Sequence, residues 1–157
     1  MPVPSDFLDE SLYAEDCWFI HDILEIDKEG GRIVGELDTT RLGQLGAAQR
    51  PVGGHAPHVP AAVMIQMTGT LGQMHAIWVL GLRATEGWIG YGTHMKSARF
   101  RNLATVGAPI RAELTATRVR WLRNTCFVDY KFRYLQDGQV VYESEQTAAW
   151  LKGDAPA

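Results

Sequence analysis

The run GGHAPHVPAAVMIQ, residues 53–66, sets two histidines in a glycine- and proline-rich loop and one glutamine early in the apolar run that follows. Each residue type implies a particular chemistry. An imidazole with its ordinary pKa of about 6.5 takes a proton from water or from an ammonium group near neutral pH. His55 is the first candidate for a general base, because the Gly53-Gly54 pair before it permits a tight backbone path toward a ligand. His58, three residues on, fills the same role if the loop is wound differently. Gln66 is a different kind of group. A carboxamide has no titratable proton near neutral pH, but it can accept one hydrogen bond from a nucleophile while donating another to an oxygen. Burying such an amide without partners costs about 1–3 kcal/mol. Gln66 therefore either ties to a neighbouring loop carbonyl or faces a site.

Other groups around this run have chemistry of their own. The backbone N–H groups of Ala61 and Ala62, at the start of the apolar run, have no partners inside a helix and sit at its positive end, where they can polarise a carbonyl oxygen. Thr70 and Gln73 follow Gln66 at i+4 and i+7 and continue one polar stripe, which suits either a site wall or packing against a loop. Tyr91, Thr93 and His94 lie together on a strand-like segment placed to line a binding tunnel. No carboxylate or cysteine accompanies the two loop histidines, so no metal site is expected, and no cofactor motif is present.

These groups need elements to hold them. CWFIHDILEID and GRIVGELD flank KEGG and read as a β-hairpin. Residues 39–58 are an irregular, glycine- and proline-rich loop, longer than most connections and expected to carry function. Residues 59–83 have few breakers and apolar side chains on most sides of a helix, which predicts a buried central helix with Pro60 in its first turn. After Glu86-Gly87 the period changes to two. WIGYGTHMKSARF, PIRAELTATRVRWL, NTCFVDYKFRYL and QVVYESEQTAAWL predict four long strands, the last two joined at Gln136-Asp137-Gly138. A helix that is apolar all round needs cover on every side, and a curved antiparallel sheet wrapped around it provides that cover. The expected fold class is α+β, a hotdog fold in one domain spanning 1–157, with residues 1–16 as an N-terminal arm.

Composition narrows the function. The 157 residues are 46% hydrophobic and 21% charged with a net charge of −3, which gives no general field for nucleic acid. Arg118, Arg120 and Arg123 form a local basic cluster that fits either a solvated strand face or contact with a phosphorylated carrier. Cys17 and Cys126 have neither disulfide-framework nor metal spacing, which fits a reducing cytoplasm. The acidic N-terminus is unlike a secretory signal, and the apolar run is too polar for a membrane span.

The junction GGHAPHVPAAVMIQ resembles the loop-to-helix junction of β-hydroxyacyl carrier-protein dehydratases, and WIGYGTHMKSARFRNLATVGAPI resembles their following strand. The resemblance runs from about Cys17 to Leu151. It departs from the dehydratase pattern where that family has its acid, since Gln66 stands there, and the proline-glycine step is Pro60-Ala61 here. The junction is more similar to FcoT-like hotdog thioesterases, which have an amide residue at the position of Gln66 after an ungapped glycine-histidine pair. Some thioesterases similar to these also add glycine to an α,β-unsaturated acyl thioester before releasing it, in pathways to β-amino acid units.

The resemblance implies a homodimer or higher homo-oligomer that acts on an acyl-CoA or acyl-carrier-protein thioester, either by hydrolysis alone or by addition of glycine or another amine followed by hydrolysis. It assigns catalysis to His55 or His58 with Gln66, and substrate contacts to Ala61, Ala62, Thr70, Tyr91, Thr93 and His94. Two alternatives stay open: a β-hydroxyacyl thioester dehydratase or hydratase with a substitute acid, and a hotdog subunit that binds acyl groups without turnover. General acid catalysis contributes roughly 10²–10⁴-fold, and Gln66 cannot supply it, which weighs against dehydration.

Overall fold

A computed structural model describes residues 1–153. The chain folds into three α-helices, α1 (Asp6–Glu10), α2 (Gly43–Ala47) and α3 (Ala61–Trp78), and six strands. The strands are β1 (Asp22–Asp27), β2 (Arg32–Leu37), β3 (Trp88–Phe100), β4 (Ile110–Leu122), β5 (Thr125–Gln136) and β6 (Gln139–Lys152). They form one sheet in the order β1-β2-β4-β5-β6-β3, with every neighbouring pair antiparallel. This long helix against a curved antiparallel sheet is the expected hotdog arrangement.

Strand alternation explains how the sheet holds the helix. On β5, Cys126, Val128, Tyr130, Phe132 and Tyr134 are buried, while Lys131 and Arg133 between them are exposed. The buried set forms the core with Val63, Met67, Leu71 and Met74 of α3. The β5–β6 turn places Asp137 at φ 50° and Gly138 at φ 76°, so both central residues are left-handed, as a tight primed hairpin turn requires.

Three boundaries differ from the sequence reading. Helix α3 is shorter than 59–83. Its C-terminus is closed where the Leu80 and Leu82 N–H groups reach back to the His75 and Ala76 carbonyls around Gly81, at φ 72°. Pro60 is the N-cap, with extended backbone, rather than a first-turn residue. The first strand begins at Asp22 rather than Cys17, because Glu15–Cys17 form a short 3₁₀ turn and Trp18, Phe19 and Ile20 pack into the core.

The N-terminal arm is firmly attached. Phe7 is fully buried between Trp18 and Trp78, with ring centroids 4.8 and 5.7 Å away. Glu10 pairs with Arg83 at 3.2 Å and accepts hydrogen bonds from the Thr85 hydroxyl and N–H. At the far side of the sheet, among the described residues, β3 pairs only with β6, and its other edge exposes Ile89, Tyr91, Met95 and Phe100. No helix among the described residues is long and apolar enough to cross a membrane.

Candidate active site

The glutamine on α3 is where two hollows meet. Gln66, Gly69 and Gln73 share a face of the helix and line a cavity of about 280 Å³. Gly69 leaves open space on this face, with nothing within 4 Å of where a Cβ would stand. The opposite wall comes from β3 (Gly90, Tyr91), β5 (Tyr130, Phe132) and β6 (Gln146, Trp150). Leu12 and Tyr13 of the N-terminal arm complete the lining. Gln66 and Tyr13 also line a second, more apolar cleft of about 430 Å³, together with Phe19, Leu42, Leu45 and Ala62.

Gln66 is half-buried, and its carboxamide makes no hydrogen bond among the described residues. Only its backbone carbonyl is engaged, by the Thr70 hydroxyl at 3.5 Å. The amide thus keeps its full donor and acceptor capacity at the boundary of the two hollows. No Asp or Glu lines the 280 Å³ cavity among the described residues, and Asp16 lines the adjoining cleft.

Ala61 and Ala62 are exposed in the first turn of α3, and no side chain caps that end. Neither N–H has a backbone partner outside the helix among the described residues, and Ala62 lines the second cleft. Tyr91 reaches the cavity wall. The other candidates stand elsewhere. Thr70 is buried with its hydroxyl turned back onto the helix, a bond open to any helical threonine, and does not line the cavity. Thr93 donates its hydroxyl to the Thr147 carbonyl at 3.1 Å and is spent on the sheet. His94 follows a register shift between Gly92 and His94 that breaks the alternation of β3, and it is exposed outside the cavity.

The two loop histidines do not line either hollow within one chain. His55 is exposed after Gly53 and Gly54, both left-handed at φ 66° and 74°. His58 is half-buried, and its backbone is clamped. The Gln49 side chain donates to the His58 carbonyl at 2.7 Å and accepts from the His58 N–H at 3.0 Å. A bridge to Thr105 and the bond from Val59 N–H to the Ala104 carbonyl continue this anchorage up to Pro60. The loop thus delivers α3 at a fixed angle, with His55 at its exposed turn.

Several contributors were invisible to motif reading. Gln146, on β6, lies 3.4 Å from the Thr68 hydroxyl and donates to Ser144 at 3.0 Å, a small polar network beside the cavity. Its only trace in the sequence is a polar residue among inward-facing positions of QVVYESEQTAAWL. Behind the cavity wall, His75 is fully buried with Nδ1 3.2 Å from the Tyr130 hydroxyl. Burial pushes the His75 pKa down to about 4, the nearby Gly31 carbonyl offsetting a little of that, although Nε2 makes no hydrogen bond of normal geometry. Burial also raises Tyr130. The pair is neutral at pH 7 and presents the cavity with an uncharged wall. Cys17 lines the cleft, and desolvation and then Asp16 raise its pKa, so it stands as a thiol rather than a nucleophilic thiolate.

No protein-family model matches the sequence, and no curated protein matches it significantly. Solved structures do resemble it. A mutant thioesterase from Pseudomonas aeruginosa superposes with a TM-score of 0.61 at 15% identity, over 93% of this chain and 89% of that one. A thioesterase from Haemophilus influenzae gives 0.60 at 17% identity, over 90% and 85%. A dehydratase heterocomplex from Xenorhabdus doucetiae gives 0.61 at 12% identity, over 90% and 88%. At these identities what is shared is the hotdog fold.

Proposed function

We propose that the protein is an acyl-thioester hydrolase whose nucleophile is positioned by Gln66. The observation that carries this reading is the unpartnered Gln66 carboxamide at the junction of two hollows, one able to hold an acyl group and the other a pantetheine arm. In this scheme the first-turn N–H groups of Ala61 and Ala62 polarise the thioester carbonyl. His55 takes a proton from water as the water oxygen bonds to the carbonyl carbon. The C–S bond then breaks, and the proton passes to the departing thiolate. His58 is the substitute base. Since neither histidine reaches the Gln66 cavity within one chain, the loop of a second copy supplies the base. The free edge of β3, which carries Tyr91 and Gly92 of the cavity wall, is where that copy would pair.

The sharper variant has the same site add an amine first. The nitrogen of glycine bonds to the β-carbon of an α,β-unsaturated acyl thioester, the α-carbon takes up a proton, and water then releases the acid. An amide that can receive one N–H or O–H and donate to the acyl oxygen serves either nucleophile. Dehydration fits less well, because the Gln66 amide supplies no acid and its cavity has no carboxylate among the described residues, Asp16 lying in the adjoining cleft. Crotonyl-pantetheine incubated with the protein, with and without glycine, tests all of this by mass spectrometry. Free crotonate supports hydrolysis and a glycine adduct supports addition. A β-hydroxy product would instead favour the hydratase reading, and binding without product a non-catalytic subunit.

A further inference from the structure

The cavity beside Gln66 and a smaller void share one large side chain. Trp150, only 6% exposed, lines this cavity and also a void of about 10 Å³. That void is walled mostly by apolar side chains, Ile77, Leu82, Trp88 and Ile89 among them, with Glu10 and Gln73 as its polar members. Trp150 is the largest of the four residues common to both linings, with Leu12, Gln73 and Gly90, and its indole borders both the acyl-sized cavity and this mostly apolar void. The ring is seated by its cross-strand partner. Gly90 stands directly opposite Trp150 in the β3–β6 register, and a Cβ built on it would lie 2.1 Å from Trp150 Cε3. Only glycine leaves the ring that place. The buried indole N–H has no hydrogen-bond partner of normal geometry among the described residues, so the ring is held there mainly by packing.

Resting on the reading of the Gln66 cavity as the acyl site, we propose that Trp150, seated on Gly90, is the stop that sets acyl-chain length and confines the substrate to short acyl groups. A cavity of about 280 Å³ holds roughly nine groups of water size, at about 30 Å³ each. That corresponds to acyl chains of roughly eight carbons or fewer. Removing the indole joins the cavity to the void below and lines the extension with Ile77, Leu82 and Trp88, a wall suited to methylene groups. Each methylene newly buried there improves binding by roughly fourfold, so four of them amount to roughly a hundredfold or more.

The test is the ratio of kcat/KM for dodecanoyl-pantetheine to that for butanoyl-pantetheine. The wild-type protein is expected to favour the short chain, and Trp150→Ala and Trp150→Leu to raise the ratio by roughly a hundredfold. Gly90→Ala, which unseats the indole, should change the ratio of octanoyl- to butanoyl-pantetheine turnover, and an unchanged ratio counts against the proposal. Trp150→Leu retains more buried volume and carries the test if the alanine variant does not fold. A wild type that accepts dodecanoyl as readily as butanoyl chains, or folded Trp150 variants with an unchanged ratio, overturns the proposal. Calorimetry with non-hydrolysable acyl-pantetheine amides of the same lengths keeps the two readings apart. If no thioester is turned over but the amides show the same shift in length preference, the hydrolase reading fails and the stop stands; if the amides show no shift, the stop fails.

Discussion

At the scale of single residues, the contrast that matters is between side chains spent on the fold and side chains left free. Thr93 and Thr70 have donated their hydroxyls to backbone carbonyls, whereas Gln66 has its whole carboxamide available. Gln66→Ala should therefore lower kcat by roughly tenfold to a thousandfold, the scale of removing one well-placed polar contact. Its melting temperature should barely change, because no hydrogen bond to the side chain is lost. Steady-state kinetics beside thermal unfolding separate these effects, and full activity with a lowered melting point would make Gln66 a structural residue after all. Gln66→Glu places a carboxylate where none lines the cavity, and is expected to reduce hydrolysis while admitting some hydration of crotonyl-pantetheine. His75 carries a prediction of another kind. Its folded pKa of about 4 lies below the ordinary value of 6.5, so between those values the unfolded chain binds a proton that the folded chain refuses. Stability is complete above about pH 6.5 and declines toward pH 4, by up to about 3 kcal/mol. His21, lowered chiefly by burial while its Nδ1 accepts the Asp38 N–H, adds to the same trend. Urea denaturation at pH 7 and pH 5 measures it, and His75→Gln should flatten most of the slope.

Among the elements, the junction between the 39–58 loop and α3 is the joint on which the site depends. Gln49 bonds both the N–H and the carbonyl of His58, and so fixes the approach of the chain to Pro60 and the exposed first turn of α3. Gln49→Ala leaves two backbone groups of a part-buried segment without partners, a loss of roughly 1–2 kcal/mol. It should also reduce turnover by displacing His55 and the Ala61 and Ala62 N–H groups, with the effect in kcat exceeding that in KM. Hydrogen exchange confined to residues 50–60, together with kinetics, checks this. A variant that loses stability but keeps kcat would show that the clamp serves the fold alone.

For the whole molecule, the open question of the fold is its free edge. A strand of 13 residues that pairs on one side only, with Ile89, Tyr91, Met95 and Phe100 exposed along it, is a template for association unless something covers it. Continuation of the sheet into a second copy would cover those side chains and bring another loop near the Tyr91 wall of the cavity. Sedimentation at micromolar concentration should find a dimer or larger assembly, and Met95→Arg should shift it toward a 17.4 kDa monomer and abolish turnover along with pairing. A wild-type monomer that is fully active would overturn the shared site.

The order of elements, the four long strands, the glycine turn at Asp137-Gly138 and the central helix were legible in the sequence, because periodicity and turn chemistry are local and each strand or helix states its own period. Gln66 was legible for a related reason, since a lone amide stands out in an apolar run. The ends of α3 and of β1 were not, because a Gly81-centred cap and the packing of Trp18 to Ile20 depend on what lies opposite them. The cavity was decided wholly in three dimensions. Its walls draw on the N-terminal arm, α3 and three strands, and Tyr13, Gln146 and Trp150 carry no local mark of facing the same space. For the same reason the loop histidines, near Gln66 in sequence, stay outside its cavity: the ten residues between His55 and Gln66 pass from loop into helix and bring Gln66 inward while the Gln49 clamp holds the loop along the surface.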